Sequence, residues 1–248
     1  MHNLQIQRHL PVPVQSPRPL TDMASCQRRR RLFISHDATD CVHVLALTVG
    51  EIWSKWKTRG SPWGLSVTQD TGNLLVTLRY ERRVDEYSPE GLLLRSIDLH
   101  RSGAFSPWHA VQTSSLSKML LVGHGDRADD AVRVGFVRIL DSDDTVEQRW
   151  YGGRPGDSKE LLSRPQQIAI GLDGTLAVAD VFNDRVVLLD NELRHVGVVG
   201  VSASHRAEGR QVSRICYIGH RLCIAESQLV KGKFTTGRLT VYELCFEH

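Results

Sequence analysis

Short apolar runs recur along the chain, and none keeps the 3.6-residue spacing of a helix over three turns. Five of them share one form: Leu32-Phe33-Ile34-Ser35, Leu74-Leu75-Val76-Thr77, Leu120-Leu121-Val122-Gly123, Leu176-Ala177-Val178-Ala179 and Leu222-Cys223-Ile224-Ala225. Their first residues stand 42, 46, 56 and 46 positions apart. That spacing is near the ~40–50-residue period of propeller blades. Each run has similar neighbours. A short apolar strand precedes it, as in Leu65-Ser66-Val67 and Ile168-Ala169-Ile170, and Pro62, Pro107 and Pro165 open three of these strands. Proline fits a strand's first position because no ladder N–H is lost there. A third strand follows, as in Val84-Asp85-Glu86-Tyr87 and Val186-Val187-Leu188-Leu189, then a turn and a weaker fourth strand.

Four antiparallel strands per repeat make one propeller blade. The pattern therefore predicts an all-β chain, a single β-propeller of five four-stranded blades at about 16–60, 61–105, 106–162, 163–207 and 208–248, with six blades as the alternative count. The fifth repeat has no fourth strand of its own. Leu4-Gln5-Ile6-Gln7-Arg8-His9 alternates apolar and polar, so residues 1–15 are read as a closing strand and lead-in, pairing with Leu239–Leu244. Such closure removes exposed edges.

One repeat carries a family signature. Arg164-Pro165-Gln166-Gln167-Ile168-Ala169-Ile170, then Asp173-Gly174-Thr175-Leu176-Ala177-Val178-Ala179-Asp180, then Asn183-Asp184-Arg185-Val186-Val187-Leu188-Leu189-Asp190, resembles an NHL repeat. The other four match in apolar pattern more than in signature residues. The resemblance implies a propeller like those that end tripartite-motif proteins and serve recognition. No RING, B-box or coiled-coil segment accompanies it, so ligase activity does not follow.

Composition narrows the classes. With 41% hydrophobic and 24% charged residues, the chain is that of an ordinary globular protein. A net charge of +3 neither demands nucleic acid nor excludes it. No apolar run approaches the ~20 residues of a membrane-spanning helix, and the first twenty residues lack a secretory apolar region. An intracellular, cytoplasmic protein is the expectation. The five cysteines, Cys26, Cys41, Cys216, Cys223 and Cys245, show no C-x-x-C spacing and no zinc pattern, and read as buried thiols.

Candidate binding residues follow from aligning the repeats. Asp22, Gly64, His109, Gln167 and Arg214 fall at one level of the inner strands, near the mouth of the central channel. They read either as a hydrated polar funnel or as a pocket for a peptide end or an anionic group. A second set, His36, Leu78, His124, Asp180 and Glu226, invites a metal reading, but in NHL repeats this acidic position caps the following turn. The face bearing the second-to-third turns, here called the top, is expected to carry the longest loops, Gly123–Gly135, Gly152–Arg164 and Glu226–Gly237. Its bases include Arg79, Arg82, Arg127, Arg154, Lys231 and Lys233.

Three functions are compatible. The first is a non-catalytic module binding a protein or peptide through the top loops and channel mouth. The second is single-stranded RNA binding on the top face, weakened because acidic residues in the same loops nearly cancel the bases. The third is a metal-dependent lyase or hydrolase, weakened because zinc catalysis normally needs three protein ligands and only His109, with Asp22, stands at the matching level. No cofactor, metal or catalytic set emerges, and the run Arg28–Arg31 reads as a solvated turn on the bottom face.

Overall fold

In the computed structural model of the protein, the described residues are 20–48, 50–100, 105–112, 119–126, 133–140, 146–152, 161–200, 210–230 and 233–243. The apolar runs fold as antiparallel strands in chain order. The first sheet is β1 (Asp22–Cys26), β2 (Arg31–His36), β3 (Cys41–Thr48) and β4 (Gly50–Lys57). The second is β5 (Pro62–Val67), β6 (Leu74–Leu78), β7 (Arg83–Tyr87) and β8 (Leu93–Asp98). The third is β9 (Phe105–Gln112), β10 (Met119–Asp126), β11 (Arg133–Leu140) and β12 (Val146–Gly152). The fourth is β13 (Pro165–Ile170), β14 (Leu176–Asp180), β15 (Arg185–Leu189) and β16 (His195–Gly200). These four four-stranded sheets are blades of a β-propeller.

Five four-stranded blades were expected, and the count is corrected here. After the four complete blades, β17 (Arg210–Ile218), β18 (Arg221–Val230) and β19 (Lys233–Glu243) form a sheet of three strands. No strand pairs with the outer edge of β19 among the described residues. The segment expected to supply that strand, Leu4–His9, lies outside the described residues, as do the rest of residues 1–15. No sixth sheet occurs among the described residues, so the alternative count of six has no support either.

A second correction concerns the top loops. Glu226–Gly237 was read as an excursion, yet β18 and β19 stay paired through Glu226↔Arg238, Ser227↔Gly237 and Val230↔Lys233. Likewise β10 and β11 pair as far as Asp126↔Arg133. Both hairpins extend the sheet because ladder pairing satisfies backbone groups that a loop would leave to water.

Apolar faces of adjacent sheets close four junctions. Phe33, Val42 and Val44 pack on Leu65, Leu74, Val76 and Leu78 between the first and second sheets. Leu75, Val84, Ile97, Leu99 and Ala110 join the second to the third. Val137, Tyr151, Ile168, Leu176, Val178 and Val187 join the third to the fourth. Ala177, Val186, Leu188, Ile215, Leu222 and Ile224 join the fourth to the fifth. Each fully buried Val, Leu or Ile contributes about 1.5–3 kcal/mol. Between the fifth and first sheets lies instead a cleft of about 510 Å³. Its walls include Met23, Leu32, Ile34, Leu45 and Trp53 on one side and Cys216, Cys223, Ala225 and Leu239 on the other.

The basic run on the bottom face is not simply solvated. Arg28 and Arg29 donate to the carbonyls of Asp70 (2.7 Å) and Thr71 (3.3 Å), and Arg31 donates to the carbonyl of Pro89 (2.8 Å) and to Glu90 (3.0 Å). The run ties the first blade to the bottom turns of the second.

Candidate functional site at the channel mouth

The polar ring read from the alignment exists, and its side chains link neighbouring inner strands. Asp22 Oδ2 accepts the Leu65 backbone N–H at 2.9 Å. His109 Nε2 donates to the Leu65 carbonyl at 3.0 Å and lies 3.7 Å from Asp22 Oδ2. Gln167 Oε1 accepts the Ile215 N–H at 2.8 Å. Arg214 donates to the Thr21 carbonyl at 2.7 Å and pairs with Asp22 at 3.5 Å. Gly64 contributes by having no side chain, since a Cβ there would meet the Trp108 carbonyl oxygen at 2.4 Å. His109 is 4% exposed, and burial pushes its imidazole below the usual 6.5 even with Asp22 opposing the shift. Its neutral form fits donation from Nε2.

The residues that open onto the mouth are one position earlier. In four sheets the register of the inner strand slips near its start: between Pro62 and Gly64, between Pro107 and His109, between Pro165 and Gln167, and between Val212 and Arg214. The bulged residues are Trp63, Trp108, Gln166 and Ser213. A bulge turns its extra residue out of the ladder. With Thr21, which immediately precedes β1, all four line a top-face depression of about 650 Å³. Sequence alignment placed the ring correctly but missed this layer. The readable signal was a proline followed by a large or polar residue, Pro62-Trp63, Pro107-Trp108 and Pro165-Gln166.

Aromatic and guanidinium planes alternate across this mouth. The Arg79 guanidinium carbon lies 4.2 Å from the Trp108 ring centre and 4.7 Å from that of Trp63. That of Arg164 lies 5.4 Å from Trp108 and 4.7 Å from Phe182. Trp63 and Trp108 meet edge to face at 5.2 Å. The order Phe182, Arg164, Trp108, Arg79, Trp63 thus crosses three blades. Each cation–π contact contributes about 0.5–2 kcal/mol. Arg164 adopts φ +61°, a left-handed conformation that the following Pro165 further disfavours. That backbone cost is sustained where its guanidinium sits between two rings. Phe182 and Tyr80 are 57% and 66% exposed, so the ladder ends in open aromatic surface.

The tips carrying Tyr80 and Phe182 are built alike. Asp40, Arg82 and Asp184, each just before a third strand, have φ near +50°. In the fourth blade Asp180 accepts from the Ser163 N–H (2.6 Å), Asn183 (2.7 Å) and Arg185 (2.9 Å). Its carboxylate thus ties the turn to Ser163 and to the Asn183 and Arg185 side chains, without a side-chain bond to the turn's own backbone N–H groups. In the second blade Leu78 holds the equivalent position, and Glu81 accepts the Ser61 N–H at 3.2 Å instead. His36 is buried against Thr39 at 2.7 Å, and Glu226 meets Thr240 at 3.4 Å. The His124 side chain lies outside the described part of the structure. Among the described residues no three His, Cys, Asp or Glu gather as a metal site.

Of the predicted top-face bases, Arg79 belongs to the ladder. Arg82 lies in the same turn, and its carbonyl accepts the Leu99 N–H at 2.9 Å. Arg127, Arg154 and Lys231 lie outside the described residues, and Lys233 is placed only as the first residue of β19. Cys26, Cys41 and Cys223 are buried as expected, but Cys216 is exposed, because its strand faces the open cleft. No helix among the described residues is long and apolar enough to cross a membrane.

No protein-family model matches the chain, and no curated protein matches its sequence. Solved structures do resemble it. A nidogen/laminin complex aligns at a TM-score of 0.62 and 13% identity, over 88% of this chain and 79% of the other. A protein of unknown function from Bacteroides caccae aligns at 0.60 and 15%, over 88% and 74%. Virginiamycin B lyase from Staphylococcus aureus aligns at 0.54 and 11%, over 88% and 67%. At such identities these likenesses establish the β-propeller fold alone.

Proposed function

We propose that the chain is a non-catalytic, NHL-type interaction module that binds a protein or peptide segment at the channel mouth. The observation that carries this reading is the aromatic–guanidinium ladder beside the depression of about 650 Å³. Trp, Tyr and Arg are the residues enriched where protein interfaces concentrate their energy. Stacked guanidiniums are held flat against the rings, which fixes their orientation at the mouth. Trp63 and Trp108 are fixed on inner strands, and the guanidiniums stacked on them are held in place, which lowers the ordering cost of binding.

The test is selection of peptides from a random displayed library on the immobilised protein. Phe182→Ala and Tyr80→Ala remove exposed rings and should each cost about 0.5–2 kcal/mol of stability, the worth of one cation–π contact, and leave the fold intact. Selected peptides should bind these variants at least about tenfold more weakly, matching one lost contact of about 1.4 kcal/mol. Peptides that bind wild type and both variants equally, or single-stranded RNA that binds while no peptide does, would overturn the reading.

A further inference from the structure

Two of the cysteines are direct partners across a hairpin. Cys216 on β17 pairs with Cys223 on β18, the two strands joined through a tight turn in which Gly219 has φ +61°. Their neighbours Ile215 and Ile224 point into the core against the fourth sheet. The cysteines therefore point the other way, and both line the cleft between the fifth and first sheets. As register partners on adjacent strands, the two side chains stand on the same face of the sheet. One is exposed and the other is buried.

We propose that Cys216 and Cys223 form a thiol–disulfide exchange site, open to small disulfides through the cleft and closing to a cross-strand disulfide. The exposed Cys216 thiolate attacks a small-molecule disulfide, breaking its S–S bond and expelling one thiolate. The Cys223 thiolate then attacks the Cys216 sulfur of the mixed disulfide and expels the second. Two electrons pass to the small disulfide, which leaves as two thiols carrying the protons that the cysteines lose. Attack by the accessible sulfur and resolution by the hidden one follow from their exposure. Directly opposed residues of an antiparallel pair have Cα atoms about 4.5–5.5 Å apart, within the span a disulfide accepts. Burial and the adjacent Cys223 push the Cys216 thiol up, so the reduced pair rests as thiols and exchange speeds up with pH.

The full chain, reduced and desalted, is incubated with oxidised glutathione above neutral pH and analysed by intact mass and a non-reducing tryptic map. The expected product lacks two hydrogens and joins the peptides 215–221 and 222–231. Cys223→Ser should hold about tenfold more glutathione adduct, on Cys216, because nothing resolves it. Cys216→Ser should give neither adduct nor internal bond in this hairpin. A lasting glutathione adduct on the wild-type chain, or a bond from either cysteine to Cys245 or to a second chain, would overturn the proposal. The wild-type linkage map decides the question by itself if a serine variant does not fold.

Discussion

Arg214 Nε stands 3.5 Å from Asp22 Oδ1, joining the inner strand of the fifth sheet to that of the first. The two partners are unequal. The Asp22 side chain is 6% exposed and also accepts the Leu65 N–H, whereas the Arg214 side chain is 40% exposed. Truncating Asp22 to Ala strands a buried N–H and removes a charge from beside Arg214, and should cost about 2–3 kcal/mol. Arg214→Met should cost about 1–2 kcal/mol, mostly the bond to Thr21, since a half-exposed ion pair contributes about 0–1 kcal/mol. Urea unfolding of both variants checks the order. A larger loss for Arg214→Met would show that the bond from Arg214 to Thr21 outweighs every contact of the Asp22 carboxylate.

Gly64→Ala should destabilise by about 1–3 kcal/mol, because its Cβ would meet the Trp108 backbone carbonyl and only movement of an inner strand relieves the clash. An unchanged melting temperature would mean that the second and third blades approach less closely than described.

His109 should make the fold acid-sensitive. Its folded pKa lies below the ordinary 6.5, so on acidification the unfolded chain takes up the proton first. Stability is full above about pH 6.5 and falls as pH drops below it, by up to about 1.4 kcal/mol per unit for one group. His43 is shifted the same way by burial and adds to the slope. His109→Gln should flatten the dependence in part, read as unfolding free energy between pH 7 and 5. An unaltered slope would exclude His109 as its source.

Deleting residues 1–10 should promote aggregation. The outer edge of β19 has no partner strand among the described residues, and Leu239 and Val241 beside it are exposed. If Leu4–His9 covers that edge, its loss leaves a template for intermolecular pairing. Light scattering on heating, compared with the full chain, is the measurement. Equal solubility and melting would show that something else protects β19.

Strand positions were legible because short apolar runs recur at similar spacing, and strands such as β6, β14 and β15, buried at every position, read as continuous apolar runs. The level of the inner ring was legible for the same reason: Asp22, His109, Gln167 and Arg214 do stand together. What periodicity could not show is a bulge, because one inserted residue leaves the apolar pattern on either side intact. Trp63 and Trp108 lie within β5 and β9, so their place at the mouth follows from the bulge and not from the apolar pattern. The network around Asp85 was hidden differently. Asp85 is fully buried, with Arg83 at 3.1 Å, Arg59 at 3.4 Å, Tyr87 Oη at 3.1 Å and Ser96 Oγ at 2.5 Å. An acid in an alternating strand suggests a solvated face, and only its partners from three segments explain its burial. The same surroundings push the Tyr87 phenol up to about 12.

Four junctions of the ring are sealed by packed hydrocarbon and the fifth is spanned by Arg214 over a cleft. Mechanically this is a split washer rather than a hoop. Sheets one to five form a stiff arc, and strain applied anywhere along it is released at the gap, where a few polar bonds must stretch before any core is exposed. Amide exchange in β1 and β17 should accordingly outpace exchange in β6 and β14, whose buried side chains sit in the middle of that arc.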